Sequence, residues 1–292
     1  MFSIEITTTL VKCLISSQFP EWMYLPISPV KHGGHDNRTF HLGDQMLVRM
    51  PSGEEYAPKV VKEQFWLPRL APHLPLPIPE PLAMGEPGEG YSWKWSIYRW
   101  MEGEPAACVK IASLEKFAED LAAFLVAFQK IDTTGGPVPY EDTSRGGPIS
   151  IYDEETRKAI KILENKIDAK AATSVWETAL ETTWSSAPVW VHGDVALGNL
   201  LVKNGWLSSV IDFGGLVTGD PACDLVIAWT FFKGKSREVF RELLKFDEGT
   251  WARGRAWALW KALIVASRVS ENPGNYESQR CWKVIAETLE GS

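Results

Sequence analysis

Three side chains within one short stretch of this chain have the types and spacing for acid–base and metal chemistry. In VWVHGDVALGNLLVKNGWLSSVIDFGG, residues 189–215, an apolar run leads into His192-Gly193-Asp194, with Asn199 and Asp212 following. A carboxylate at the end of a buried strand rests on a rigid platform. One carboxylate can orient and deprotonate an acceptor hydroxyl, while a carboxamide oxygen and a second carboxylate hold Mg2+ on nucleotide phosphates. Each residue alone has a plainer reading: Asp194 as a turn residue, Asn199 as a cap, Asp212 as a strand exit. Their occurrence in this order, followed by GDPACDL at 219–225, favours the chemical reading.

The elements that must position these groups follow from the apolar pattern. Residues 24–50 read as strands Ile27–Val30, Thr39–Leu42 and Gln45–Met50, with Gly43-Asp44 as a two-residue hairpin turn. Glu55–Leu70 reads as a helix whose last turn Pro68 weakens. Seven prolines between Pro68 and Pro87 predict a largely extended stretch, and two strands follow near Leu82–Gly85 and Trp93–Tyr98. Ser113 is the expected N-cap of a helix over 113–131, with Leu114, Phe117, Leu121, Phe124, Leu125 and Phe128 on one face. More helix fits 152–183. Short strands are expected at Val189–His192, Leu200–Val202 and Ser208–Ile211, then helices over 221–232, 236–246, 250–269 and 277–289. The architecture is α+β: a small antiparallel-sheet N-lobe over residues 1–101 and a mostly helical C-lobe over 102–292.

The HGD-x4-N and IDFG motifs, with GDPACDL, resemble the catalytic and metal loops of the aminoglycoside phosphotransferase superfamily. That superfamily includes macrolide phosphotransferases and choline-kinase-like enzymes and has the protein-kinase-like two-lobed fold. The resemblance spans roughly residues 30–232. It implies Asp194 as catalytic base and Asn199 and Asp212 as Mg2+ ligands, with Asp220 and Asp224 bracing the loop and His192 structural. In the MLVRMP strand, Arg49 matches the position of the cation on the nucleotide phosphates, where Lys is commoner; Arg keeps the charge and adds a bidentate fork. Glu63 matches its partner. The turn KHGGHDNR, with Gly33 and Gly34 permitting unusual dihedrals, resembles the phosphate-covering hairpin, although an ordinary hairpin loop reads as readily. SIYRWMEG resembles the hinge, implying nucleobase contacts through the Arg99 carbonyl and the Met101 amide.

Composition bounds the partners. A net charge of −7 argues against a nucleic-acid binder. The apolar run LAAFLVAF is too short to span a bilayer. Cys13, Cys108, Cys223 and Cys281 form no CxxC pair, and no leader pattern opens the chain, which predicts a cytoplasmic protein. The expected activity is transfer of the γ-phosphoryl group of ATP or GTP, with Mg2+, to a hydroxyl of a small molecule. The resemblance makes an aminoglycoside or macrolide antibiotic the leading acceptor class. The alternatives are a kinase of a cellular metabolite alcohol or sugar, or a non-catalytic nucleotide-binding pseudokinase. After Asp224, acidic residues do not outnumber basic ones, and Trp229, Phe231, Phe232, Trp251, Trp257 and Trp260 recur. Such a surface suits an acceptor with apolar area and few charges, unless these aromatics only fill the core.

Overall fold

The structure, a computed structural model, describes residues 5–31, 34, 36–140, 145–269 and 276–290, with the side chains of residues 269 and 276–278 left aside. The chain divides into two compact units. One comprises Met1–Glu104 and Ser208–Gly214, the other Pro105–Leu207 and Gly215–Ser292.

The first unit holds α1 (Thr8–Gln18), β1 (Ile27–Pro29), β2 (Asn37–Leu42), β3 (Met46–Pro51), α2 (Pro58–Leu70), β4 (Pro81–Gly85) and β5 (Trp95–Arg99). The strands form one antiparallel sheet in the order β1-β2-β3-β5-β4. Sequence patterning assigned no element to α1, yet its signals are local. Thr7 caps it by accepting from the Leu10 N–H at 3.2 Å, and Val11, Leu14 and Ile15 fall on one face. That face packs with Phe40, Leu42, Val48, Met50, Trp95 and Ile97 to make the core of this unit. Leu42 pairs with Met46, so the β2–β3 turn has three residues rather than the expected two.

The second helix begins later than expected. Glu54–Tyr56 is a 3-10 turn, and Pro58 occupies the first helical turn, where its missing N–H costs nothing. The helix runs through Pro68 to Leu70 and continues into a second 3-10 turn, Ala71–His73. Extended backbone therefore starts at Leu74, not at Pro68. Gln64 fixes α2 against the sheet by donating to Ala83 O at 2.8 Å and Ser96 Oγ at 3.1 Å. The Val210 N–H donates to Pro77 O at 3.2 Å, which ties the late segment Ser208–Gly214 into this unit.

After β6 (Glu104–Pro105), the second unit opens with α3 (Leu114–Gln129), capped by Ser113, whose Oγ accepts from the Lys116 N–H at 3.2 Å. α4 (Asp153–Ile162), α5 (Ala169–Leu180), β7 (Val189–Val191), β8 (Leu200–Lys203) and β10 (Val217–Gly219) follow, and β9 (Trp206–Val210) is divided, its last three residues belonging to the first unit. β10 is absent from the sequence-based expectation; it pairs antiparallel with β7, Val217 opposite Val191. The chain ends with α6 (Ile227–Thr230), α7 (Lys235–Leu244), α8 (Glu248–Val269) and α9 (Tyr276–Leu289). The stretch expected as a helix over 221–232 is mainly a 3-10 helix, Pro221–Val226, with only one α-turn after it. α8 approaches this segment closely: a Cβ at Gly254 would lie 2.8 Å from Leu225 Cβ and 3.1 Å from Ala222 O. Only glycine admits that contact.

Tryptophan and phenylalanine build this unit's interior. Trp176, Val191, Val217, Ala222 and Trp257 share one cluster, and Phe117 of α3 meets Phe231 and Phe232 edge-on. Fully burying such side chains contributes about 1.5–3 kcal/mol each. Among the described residues, no helix is long and apolar enough to cross a membrane.

Candidate active site

His192, Gly193 and Asp194 follow β7 directly. The buried carboxylate of Asp224 accepts the N–H groups of both His192 and Gly193, each at 2.8 Å. Burial pushes the Asp224 carboxyl up from its ordinary range, against the pull of His192 and the two amides. Gly193 has φ +82°, and a Cβ there would sit 2.5 Å from Gly215 O. The turn that aims Asp194 therefore needs glycine for both conformation and space. The Asp194 N–H in turn donates to His192 Nδ1 at 3.2 Å.

The Asp194 side chain is half-exposed and held from two sides. Asn199 Nδ2 donates to its backbone oxygen and to Oδ2, both at 2.9 Å. Lys261 Nζ, from α8, lies 3.2 Å from Oδ1. Burial acts to raise the pKa of this carboxyl, but Lys261, His192 and Arg145 outweigh it and hold the group below its ordinary range. Sequence patterning missed Lys261. It sits among several basic residues on a helix far along the chain, and no local spacing marks it.

Asp220 braces the same region differently. Its carboxylate caps the 3-10 helix by accepting from the Ala222 N–H at 3.0 Å. It also pairs with Arg253 of α8, at 2.6 Å to Nε and 3.3 Å to Nη2, and both side chains are buried.

Arg49, Glu63 and Asp212 come together within the first unit. Arg49 projects from β3, and its Nη1 donates to both Glu63 oxygens at 3.0 Å. Its Nη2 donates to Asp212 Oδ1 at 2.5 Å. The buried Glu63 of α2 also accepts from the Tyr98 hydroxyl at 2.5 Å. With the Asn37 carboxamide oxygen turned inward, it accepts from Arg49 Nε and Nη2 at 3.1 Å. Burial works to lower the Arg49 pKa, but Asp212 and Glu63 prevail and keep it well above its ordinary value. A cavity of about 10 Å³ remains beside this cluster, which is room for no more than about one water. Asp212 itself has φ +65°, a left-handed conformation that Asp tolerates better than most residues.

The remaining expected contacts are distributed more widely. Gly33 lies outside the described residues. Gly34 is exposed, its φ is not in the left-handed region, and a Cβ there would meet nothing within 4 Å. The expected conformational demand for glycine at Gly34 is therefore absent. Arg99 ends β5 with an exposed side chain paired to Glu80 at 2.6 Å, and Met101 follows in a connector without regular structure.

A cavity of about 270 Å³ opens beside Asp194 within the second unit. Trp257, Val265 and Val284 supply apolar wall, and Arg145, Lys261 and Arg280 supply charge. Arg145 lies over the rings of Trp257 and Trp260, 5.2 and 5.6 Å from their centroids. Trp257 and Trp251 are both buried in the core, and of the two Trp257 also lines the cavity.

Within the second unit, Asn199 directs its amide nitrogen to Asp194, which leaves the amide oxygen as an acceptor of the kind hard cations take. Within the first unit, Asp212 presents a half-exposed carboxylate of the same hard-oxygen type.

Residues 27–257 match the model of the phosphotransferase enzyme family, APH. No curated protein matches. Among solved structures, the GDP complex of wild-type aminoglycoside 2'-phosphotransferase-IIIa is similar, with a TM-score of 0.71 at 14% identity, over 97% of this chain and 99% of that one. The streptomycin-ATP-APH(2")-IIa ternary complex gives 0.60 at 18% identity over 98% and 97%. Macrolide 2'-phosphotransferase MphH from Brachybacterium faecium gives 0.62 at 20% identity over 96% and 99%. The fold of these proteins, which is protein-kinase-like, is the fold of this chain.

Proposed function

The chain belongs to the phosphotransferase enzyme family, and from that premise we propose that it moves the γ-phosphoryl group of a nucleoside triphosphate to a hydroxyl of a small molecule. The observation that carries this reading is Asp194: a half-exposed carboxylate, held ionised, pinned by Asn199 and opening on a cavity. Asp194 accepts a hydrogen bond from the acceptor hydroxyl. As the acceptor oxygen bonds to the γ-phosphorus, the bond from that phosphorus to the β–γ bridging oxygen breaks, and the acceptor proton passes to Asp194. A carboxylate held below its ordinary range is a weak base before that bond forms. Its main contribution is therefore orientation, in keeping with phosphoryl transfer, where positioning and charge neutralisation dominate.

Arg49 supplies positive charge toward the nucleotide phosphates, with Glu63 fixing its fork. Asn199 and Asp212 are the proposed Mg2+ ligands; the ion, when bound, neutralises charge on the transferring phosphoryl group. GDP and ATP in the similar structures support either guanine or adenine nucleotide as donor. Those structures also support an aminoglycoside or macrolide antibiotic as acceptor. A second reading, a kinase of a metabolite alcohol or sugar, is favoured by the cations lining the cavity. The test is a phosphate-transfer screen with ATP and GTP, with and without Mg2+, against aminoglycosides, macrolides and metabolite alcohols. Mg2+-dependent transfer to any of them supports the activity. Nucleotide binding without consumption under all conditions identifies a pseudokinase instead.

A further inference from the structure

Two lysines in the first half of α2 converge on the loop that carries Asp212. Lys62 Nζ donates to Gly214 O at 2.9 Å. Lys59 lies three residues earlier, on the same face of the helix. A Cβ at Gly214 would be 3.6 Å from Lys59 Nζ and 3.4 Å from Asp212 Oδ1. Lys59 also lines the small cavity beside Arg49. All of these residues belong to the first unit. A cation so near a helix N-terminus opposes the helix dipole, and the first turn of α2 has no acidic residue of its own to offset it.

The donors around this loop are not equally available. Arg49 has five N–H groups, and each already has an acceptor. The two Glu63 oxygens take Nη1, Asp212 and Asn37 take Nη2, and Asn37 also takes Nε. Its charge therefore acts without an unengaged hydrogen bond. Lys59 has three donors, and among the described residues its one hydrogen-bonded acceptor is Asp36, at 2.7 Å. Its ammonium also lies 4.9 Å over the Tyr56 ring. Both members of the Lys59–Asp36 pair keep contact with water, their side chains 20% and 37% exposed. Such a pair holds weakly and can give way to a more highly charged anion.

We propose that Lys59 binds the phosphates of the nucleoside triphosphate directly, and that Asp36 holds the lysine until the nucleotide displaces it. An ammonium meets a polyphosphate as a point charge whose donors can turn toward different oxygens. Lys59 thus adds the direct contact that the enclosed Arg49 fork lacks. This assignment deepens the phosphotransferase reading and rests on it for the approach of the phosphates to Arg49 and Asp212.

Equilibrium binding to the full-length protein tests it, with ATP, GTP and the matching monophosphates as probes at low ionic strength. Lys59→Gln should weaken triphosphate binding about tenfold and monophosphate binding much less. Lys59→Arg should restore most of the loss. Asp36→Asn should tighten triphosphate binding about threefold, because the competing carboxylate is gone. The double variant should match Lys59→Gln. An ion pair that only braces α2 gives the opposite sign for Asp36→Asn, since breaking it from either side weakens binding alike. Unchanged or weaker triphosphate binding in Asp36→Asn would therefore overturn the proposal. So would triphosphate affinity within about twofold of the parent in Lys59→Gln, or equal losses for monophosphates and triphosphates. Circular dichroism verifies that the variants fold, and Asp36→Asn keeps the sign test if Lys59→Gln does not. A parent protein that binds neither ATP nor GTP, with or without Mg2+, sinks the phosphotransferase reading. A parent that binds them, beside variants that fail the sign test, sinks only the role of Lys59.

Discussion

Arg49 and Asp194 are both ionised side chains held by opposite charge, yet their surroundings differ. Arg49 is enclosed by Glu63, Asp212 and Asn37, with a cavity of only about 10 Å³ beside it. Asp194 borders about 270 Å³ of open space and keeps one lysine and one amide as its anchors. The first arrangement fixes a charge in one geometry and leaves little room for variation. The second fixes only the carboxylate and leaves the cavity walls to determine what enters. Tolerance to change should therefore differ sharply between the two, and each can be disturbed separately.

The largest expected effect removes support for the Asp194 region without touching either site. Asp220→Ala leaves Arg253 buried without its carboxylate, a loss of about 3–5 kcal/mol. Thermal denaturation should show a midpoint lowered by roughly 10 °C. A midpoint within about two degrees of the parent would mean that water replaces the carboxylate, beside the Thr182 hydroxyl that already accepts from Arg253 Nη1 at 3.1 Å.

Next comes Asp194→Ala. Turnover should fall by at least about a hundredfold, while nucleotide affinity stays within a few-fold. Asp212→Ala should instead abolish Mg2+-dependent nucleotide binding, measured by titration with and without the ion. If Asp194→Ala lost nucleotide binding equally, the contrast between the two regions would collapse.

A smaller effect concerns the enclosed cluster. Arg49→Ala should lower kcat/KM, Glu63→Ala should do so more mildly, and the double variant should show coupling of about 1–2 kcal/mol. Arg49→Lys should retain partial activity, since charge survives but the fork does not. Strictly additive losses would show that the 3.0 Å pair acts as two separate groups.

These residues were legible in sequence to different degrees, for physical reasons. Asp194, Asn199 and Asp212 lie within one short stretch, so chain geometry alone limits how far they can separate. Arg49 and Glu63 sit on a strand and the next helix, and the structure pairs them as expected. Lys261 comes to Asp194 through the packing of α8, which leaves no spacing to read. The close approach of Gly254 to Ala222 and Leu225 is likewise a contact between segments about thirty residues apart, which no local pattern marks. Local pattern predicts a helix there, and the structure winds it mainly as 3-10. In α1 the missed signal was present: a Thr cap and apolar residues three and four apart.

The smallest expected effect is a shift in pH dependence. In the proposed role Asp194 must be ionised to accept the hydroxyl; burial raises its pKa, and Lys261, His192 and Arg145 lower it further than burial raises it. Lys261→Gln should therefore move the acidic limb of kcat/KM toward higher pH. The same depressed pKa contributes stability above the unfolded carboxyl value, and that contribution fades as pH falls through the folded value. The variant should lose part of this stability near neutrality and little at strongly acidic pH. An acidic limb that does not move would remove Lys261 from control of the base.

The assignment of Ser208–Gly214 to the first unit has a consequence for how the gene can be cut. That unit is a module in space but not in reading order, because a late seven-residue segment completes it. A truncation at Glu104 would yield a fragment without Asp212, and Arg49 would be left with Glu63 and Asn37 as its remaining acceptors. Recombination that exchanges only the first hundred or so codons would mix parents inside this one cluster. Functional chimeras that keep both units whole should therefore need three crossovers, one after Glu104 and one on each side of Ser208–Gly214.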